Sequence, residues 1–164
     1  MNIIICDDSQ RDRENLIELL KSYAKEKNQF FEITEYDSGA GLCGDKDALQ
    51  KCQLVFLDIN MDDMDDLNAA IKIKEENPKL PIVLVTAYMN YALDGYKVKA
   101  SRFLLKDNLS ETIGECMDDL ILEIQKDSRI LEFSFVEGTL SLCASDIIYI
   151  ETSRHKNIKS AVMS

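Results

Sequence analysis

With 164 residues, of which 46% are hydrophobic and 30% charged, the chain is long enough for one complete globular domain and a remainder. Residues 128–164 contain four basic and four acidic side chains, and taking these from the totals of 19 and 30 leaves 15 basic and 26 acidic side chains in residues 1–127. Because nucleic-acid binding depends on neutralising phosphates, this acidic first part is a poor candidate for binding DNA.

The cysteines and the hydropathy of the chain exclude other classes of protein. None of the five cysteines forms a C-x-x-C pair, and the single histidine, His155, has no second type of zinc ligand nearby, so no zinc site is predicted. The apolar stretch at the N-terminus breaks at Asp7, and no run approaches the roughly 18 apolar residues that span a bilayer. We therefore predict a cytoplasmic protein with reduced thiols and no membrane association.

Residues 1–127 alternate short apolar runs with amphipathic stretches. The runs predict strands at Ile3–Cys6, Phe30–Glu35, Leu54–Asp58, Ile82–Val85 and Ser101–Leu105. Helices are predicted at Gln10–Ala24, from Gly39 to about Lys51, at Asp66–Glu76, at residues 89–98, and after Asn108, where Asn108–Glu111 is similar to a capping box. Five strand–helix units predict an α/β fold, a doubly wound five-stranded parallel sheet.

The periodicity of the sequence changes after about Asp127. Short strands are predicted at Ile130–Phe135, Leu140–Cys143 and Ile147–Ile150, with a turn at Glu137 and Gly138. Three short strands form a marginal unit by themselves. We therefore predict a domain over residues 1–127, followed over residues 128–164 by an incomplete, β-rich segment that begins a second domain.

Polar side chains follow four of the predicted parallel strands. Asp7 and Asp8 follow the first strand, Asp58 ends the third, Thr86 follows the fourth and Lys106 the fifth. Parallel strands that are covered by helices on both faces bind ligands beyond their carboxyl ends, so these side chains should meet at one edge. Three carboxylates, a hydroxyl and an ammonium suit a divalent cation and a phosphoryl group.

Taken singly, each of these residues has an ordinary structural explanation, because an acid after a strand is more often a turn or a helix cap. Together they predict a reaction. Carboxylates suit Mg²⁺, and Asp58 can act as a nucleophile toward phosphorus and form an acyl phosphate. The metal and Lys106 would then stabilise the oxygens of the transferring group.

The same segments resemble the motifs of receiver domains of two-component response regulators. Ile3–Asp8 is similar to the acidic-pair motif, Val55–Met61 to the phosphoacceptor motif, Val83–Ala87 to the switch threonine motif, and Phe103–Lys106 to the switch aromatic and lysine motif. The resemblance covers roughly residues 1–127, and it implies the flavodoxin-like receiver fold.

The resemblance assigns a role to each acid. It implies that Asp58 accepts a phosphoryl group from a phosphohistidine of a sensor histidine kinase. It also implies that Mg²⁺ is held by Asp7, Asp8, Asp58 and the backbone carbonyl of Asn60.

The resemblance also implies a switch. Thr86 would hydrogen-bond the phosphoryl group alongside Lys106, and Phe103 would turn inward when Thr86 moves. The face that contains the fourth helix, fifth strand and fifth helix would repack, as in a two-state switch driven by local charge.

The chain departs from the receiver pattern in two loops. Asp107 stands where the family usually has proline, and since a cis bond before another residue costs about 2.5–4 kcal/mol, we expect a trans bond there. Asp62 replaces the usual proline after the phosphoacceptor, and Asp66 the usual glycine. The stretch Asp62–Asp66 therefore adds four acids, which are either solvated or change the local concentration of ions.

The C-terminal segment resembles the opening of a LytTR-type DNA-binding domain. The similarity lies in Asp146–Glu151 and the following Ser153–Lys156, about the first third of such a domain. Arg154, His155 and Lys156, together with Lys159, would contact DNA phosphates in a full-length protein, or else form a solvated basic turn. An unpaired strand edge here would favour self-association, so a homodimer is also considered.

The leading interpretation is thus a phosphorylation-controlled regulator of transcription that is not an enzyme beyond its own phosphorylation and slow dephosphorylation. One alternative is a pseudo-receiver, a binding module that switches without phosphate. Another is an aspartyl-phosphate phosphohydrolase, but such enzymes place a second Asp two residues after the nucleophile, where this chain has Asn60.

Overall fold

The structure is a computed structural model that describes residues 1–59, 64–88, 98–127, 130–135, 138–143, 147–152 and 158–162. The chain divides into two compact units, Met1–Met117 and Asp118–Ser164. Among the described residues, no helix combines the length and the apolar character that crossing a bilayer requires.

The first unit is built around a five-stranded parallel sheet. Its elements, with the helix that continues into the second unit, are β1 (Asn2–Cys6), α1 (Gln10–Glu26), β2 (Glu32–Tyr36), α2 (Gly39–Gly44), α3 (Lys46–Lys51), β3 (Leu54–Asp58), α4 (Met64–Glu76), β4 (Ile82–Thr86), β5 (Arg102–Leu105) and α5 (Leu109–Asp127). The strand order is β2-β1-β3-β4-β5, and all four strand pairs are parallel. The predicted doubly wound receiver fold is confirmed.

The three inner strands are apolar because both of their faces are covered. Every residue of β3 and β4 is buried, and so is β1 from Ile3 to Cys6. Successive strand residues point to opposite faces, so complete burial requires helices on each side of the sheet. The edge strand β2 is more exposed, as its single hydrogen-bonded neighbour leads one to expect.

One side of the sheet packs on a continuous apolar cluster. This cluster contains Ile4, Cys6, Leu42, Leu49, Cys52, Val55, Leu57, Ile59, Ala70, Ile73, Leu80, Ile82, Leu84 and Val98. The alternate residues of the central strands, such as Ile3, Ile5 and Phe56, are also buried, at 1% exposure. The cluster fixes the strands in register, and the register determines which side chains meet at the carboxyl edge.

The segment between β2 and β3 differs from its prediction as one helix. It forms two short helices, α2 and α3, that meet at Asp45. The Asp45 amide donates to the Leu42 carbonyl and ends α2, while its carboxylate accepts from the Ala48 amide at 3.0 Å and starts α3. Asp45 therefore ends one helix and caps the next, and the spacing of the apolar residues alone does not reveal this break.

Some element ends also differ from their predictions. Strand β2 begins at Glu32 rather than Phe30, which is 80% exposed, and α4 begins at Met64 rather than Asp66. A turn of 3₁₀ helix, Lys106–Asn108, leads into α5. No cis peptide bond occurs among the described residues, in agreement with the trans bond expected before Asp107. The helix predicted over 89–98 lies outside the described residues as far as residue 97.

Beyond α5, the described residues form two antiparallel strand pairs, which we call the C-terminal hairpins. Strand β6 (Ile130–Phe135) pairs with β7 (Gly138–Cys143), and β8 (Ile147–Thr152) pairs with β9 (Ile158–Val162). Strand β9 was not predicted, because Lys159 and Ser160 interrupt its apolar residues and only pairing with β8 makes it a strand. The division of the chain at residues 127 and 128 stays a prediction, since α5 crosses the boundary of the compact units.

Candidate phosphoacceptor site

The register of the sheet brings the acids of the first and third strands together. Cys6 of β1 lies beside Leu57 of β3, so Asp7 leaves the sheet next to Asp58. Both carboxylates are largely buried, with residue exposures of 7% and 9%. Two neighbouring buried carboxylates repel each other unless a cation lies near them or one of them is protonated.

Lys106 supplies one such cation from the far side of β4. It follows Leu105, the partner of Thr86, and its ammonium reaches across the end of β4. Its Nζ lies 2.7 Å from Asp7 Oδ2 and 2.9 Å from Asp58 Oδ2. The lysine therefore joins the ends of β1, β3 and β5.

A third carboxylate, which belongs to none of the sequence motifs, also contacts this lysine. Asp12 Oδ2 lies 2.8 Å from Lys106 Nζ. Asp12 sits in the first turn of α1, where its amide donates to the Oγ of the N-cap residue, Ser9, at 3.3 Å. Acids are common in the first turn of a helix because their negative charge interacts favourably with the helix dipole. The sequence alone therefore assigns Asp12 no special role.

Asp7 is held by its own backbone and by its neighbours. The Ser9 amide donates to Asp7 Oδ1 at 2.8 Å, and Arg13 Nη1 donates to the Asp7 carbonyl at 2.6 Å. Arg13 is in turn paired with Glu35 at 3.2 Å. The start of α1 thus fixes both the carboxylate and the carbonyl of Asp7.

Burial changes the ionisation of the site. Desolvation raises the pKa of Asp58 to about 6, against the opposing hydrogen bond from Lys106 and with the help of the negative charge of Asp7. Desolvation also raises the pKa of Asp7, although Lys106 and the Ser9 amide oppose it. Burial would lower the pKa of Lys106, but its hydrogen bonds to Asp12, Asp7 and Asp58 outweigh burial and raise it. The lysine is therefore charged at neutral pH.

The acids are arranged so that they could hold a metal ion. Asp7, Asp8 and Asp58 each offer a carboxylate oxygen, and these three oxygens lie within 4.8 Å of one another. Asp8 is exposed to solvent while the other two are buried. A hard divalent cation takes such oxygen ligands together with water. The backbone carbonyl of Asn60, predicted as a further ligand, lies outside the described residues.

Thr86 is completely buried at the end of β4, and its hydroxyl is engaged. Its Oγ1 donates to the carbonyl of Ile59 at 2.9 Å and accepts from the Tyr88 amide at 3.2 Å. The hydroxyl is thus bonded to the residue immediately after Asp58. The predicted switch aromatic, Phe103, is half-buried and packs against the apolar cluster.

Several other predicted residues lie outside the described part of the chain. The candidate DNA contacts Arg154, His155 and Lys156 are not among the described residues, and neither is Asp62. Asp66 belongs to α4, but its side chain is not described.

The geometry gives Asp58 the surroundings of an oxygen nucleophile. Its Oδ2 accepts a hydrogen bond from the Lys106 ammonium, and the carboxylates of Asp7 and Asp8 lie close enough for the three acids to hold a metal ion together. Every buried side-chain nitrogen or oxygen in the described part of the chain has a hydrogen-bond partner. The site is therefore preorganised rather than left unsatisfied.

Known proteins are similar to this chain, one in sequence and two in fold. Accessory gene regulator protein A of Staphylococcus epidermidis is 29% identical over 166 residues, which cover 93% of this chain and 69% of that protein. The response regulatory domain of protein mrkE from Klebsiella pneumoniae superposes with a TM-score of 0.64 at 24% identity, over 77% of this chain and 99% of that one. The Mn²⁺-bound form of response regulator Rcp1 superposes with a TM-score of 0.56 at 18% identity, over 71% and 91%.

A family model agrees with the fold and with the position of the acids. The model described as "Response regulator receiver domain" matches residues 3–117, which include β1, β3, β4, β5 and the side chains that meet at their ends. This chain therefore belongs to the response regulator receiver domain family.

Proposed function

We propose that Asp58 is the phosphoacceptor of a two-component system and receives its phosphoryl group from a phosphohistidine of a sensor histidine kinase. The observation that carries this proposal is the position of the Asp58 carboxylate, buried at the end of β3 and 2.9 Å from Lys106 Nζ. The membership of the chain in the receiver family supports it.

The chemistry needs no other side chain as nucleophile. A carboxylate oxygen of Asp58 forms a bond to phosphorus while the bond between phosphorus and the kinase imidazole nitrogen breaks, and the imidazole keeps the electron pair. Lys106 donates to the phosphoryl oxygens and offsets their charge. Such a protein is a signalling switch, with no turnover beyond its own phosphorylation and slow dephosphorylation.

Asp7, Asp8 and Asp58 are the residues that would hold Mg²⁺, and their carboxylate oxygens are close enough together to do so. When bound, the cation offsets negative charge on the transferring group. The similarly folded Rcp1 was solved in a Mn²⁺-bound form, which supports a cation site in this fold. The Asn60 carbonyl completes the proposed ligand set.

Thr86 and Phe103 form the proposed switch. The Thr86 hydroxyl donates to the Ile59 carbonyl, so it must leave that carbonyl in order to donate to a phosphoryl oxygen. Such a change would free the Ile59 carbonyl from its hydrogen bond and would allow Phe103 to change its packing against the apolar cluster. We propose that this rearrangement carries the signal out of the site.

The output is proposed to be control of transcription from the cytoplasm. Residues 128–164 would begin a LytTR-type DNA-binding domain, with Arg154, His155 and Lys156 contacting DNA in the full-length regulator. The gene-regulator name of the similar S. epidermidis protein supports this proposal. A homodimer is part of the same proposal.

The test is incubation with acetyl phosphate and Mg²⁺, followed by intact mass. We expect a gain of about 80 Da, the mass of one phosphoryl group, on the wild-type chain. Asp58→Asn should show no gain. Asp47→Asn, the same chemical change at an exposed position in α3, should be phosphorylated like the wild type.

Each alternative gives its own result in this experiment. Steady release of phosphate from simple esters would indicate a phosphohydrolase. The absence of both an adduct and a response to beryllofluoride would indicate a pseudo-receiver and overturn the proposal.

A further inference from the structure

The ammonium of Lys106 has three protons and three carboxylate partners. Asp7, Asp12 and Asp58 lie 2.7, 2.8 and 2.9 Å from its Nζ. An ammonium has no further proton to donate once each of these is used. A phosphoryl group on Asp58 would add new acceptor oxygens beside a lysine whose protons are already engaged.

The three carboxylates differ in how readily water can replace the lysine. The Asp7 and Asp58 side chains are 7% and 10% exposed, whereas the Asp12 side chain is 39% exposed. A buried carboxylate that loses its cation pays a large desolvation cost, while an exposed one is rehydrated. Asp12 is therefore the partner that Lys106 can leave most easily.

We propose that Asp12 is a positioning residue that holds the third proton of Lys106 before phosphorylation and releases it to the phosphoryl group afterwards. The inference rests on the proposed function of Asp58. Asp12 acts through Lys106 and is not one of the three acids whose oxygens could hold a metal ion. Its position in the first turn of α1 links the start of that helix to the state of the site.

Two consequences follow for a chain without this carboxylate. Lys106 would be free to donate to the incoming phosphoryl group from the outset, so phosphorylation should be faster. Lys106 would also bind Asp7 and Asp58 more tightly and compete better with a cation for them, so Mg²⁺ should bind more weakly. The two changes have opposite signs, whereas a damaged fold would weaken both processes.

The experiment compares three variants of the whole chain with the wild type. Asp12→Asn keeps the size of the side chain and removes its charge. Asp12→Glu keeps the charge and serves as the rescue. Glu14→Gln removes one charge from an exposed position on the same helix, where Glu14 accepts from Gln10 at 2.8 Å instead of contacting Lys106.

Two quantities are measured for each protein. The rate of adduct formation with acetyl phosphate at saturating Mg²⁺ is followed by intact mass, and the affinity for Mg²⁺ alone by calorimetry. For Asp12→Asn we expect the rate to rise and the affinity to fall by about two- to fivefold each, the ratio that an exposed ion pair supports. Glu14→Gln and Asp12→Glu should stay close to the wild type.

The results separate this inference from the function on which it rests. A wild type that takes the phosphoryl group, with equal effects of Asp12→Asn and Glu14→Gln, overturns the role of Asp12 and leaves the phosphoacceptor intact. A fall in both rate and affinity would show a structural role only. A wild type that forms no adduct overturns the proposed function, and with it the release of Lys106 by Asp12.

Discussion

The parallel sheet and the C-terminal hairpins use apolar residues in different ways. In β3 and β4 every residue is buried, and the polar side chains with a proposed chemical role are confined to the strand ends. In β7 the first four residues are exposed, including Leu140 at 44%. The comparison shows that a site of partly desolvated acids needs strands that are covered on both faces, because only such strands end in a dry environment.

The largest effect should come from a cavity in the covered sheet. Leu84→Ala removes a side chain with no exposure from β4, and should lower the free energy of unfolding by about 2–5 kcal/mol. The matched change Leu140→Ala in β7 should cost less than about 1 kcal/mol. Urea denaturation followed by the far-ultraviolet circular dichroism signal, to which helices and strands both contribute, measures both. Equal losses would contradict the contrast between the two regions.

Metal binding should stabilise the sheet region next most strongly. A cation that binds only the folded acids adds about 2.7 kcal/mol at a hundred times its dissociation constant. We expect Mg²⁺ to raise the melting temperature of the wild type. The gain should be much smaller in Asp8→Asn, which removes an exposed ligand without opening the core. An equal gain in both proteins would place the cation elsewhere.

The raised pKa of Asp58 predicts how stability depends on pH in the absence of metal. Its folded value of about 6 lies above the ordinary value of 3.8, so between these values the folded state binds more protons than the unfolded state. Stability from this group is therefore lost as pH rises through this range, by about 3 kcal/mol in all and by roughly half of that between pH 5 and pH 7.

The test is denaturation of the metal-free protein at pH 7 and at pH 5. Asp58→Asn should be more stable than the wild type at pH 7 and should lose roughly half of that advantage at pH 5. A wild type that gains no stability relative to Asp58→Asn on acidification would show that Lys106 already compensates the buried charge.

The smallest expected effect is a loss of stability that leaves phosphorylation unchanged. Ser9→Ala removes the side-chain cap of α1 and should cost about 1 kcal/mol. The bond from the residue-9 amide to Asp7 Oδ1 would remain, because it comes from the backbone. Denaturation should therefore show a loss, while the extent of phosphorylation with acetyl phosphate stays the same. A parallel loss of phosphorylation would show that the cap positions Asp7 through the helix.

The sequence by itself determined the parallel sheet and the polar residues at the carboxyl ends of four of its strands. Runs such as Ile3–Cys6 and Leu54–Asp58 are apolar throughout, which fits strands covered on both faces, and each is followed or ended by acids. The two helices that meet at Asp45 and the late start of β2 were not predictable in the same way. The break between the helices depends on the side-chain cap by Asp45, and the start of β2 depends on its pairing with β1. Both can override the local preference of the sequence.

The tertiary structure decided which of the acids share Lys106. The sequence predicted Asp7, Asp8, Asp58 and Lys106 at one edge because parallel strands place their ends together, and this follows from the order of elements along the chain. Asp12 could not be distinguished from an ordinary first-turn acid, because its contact with a lysine 94 residues away depends on where α1 lies against the sheet. Likewise, only packing shows that the Thr86 hydroxyl is bonded to Ile59, since burial leaves it no water to bond instead.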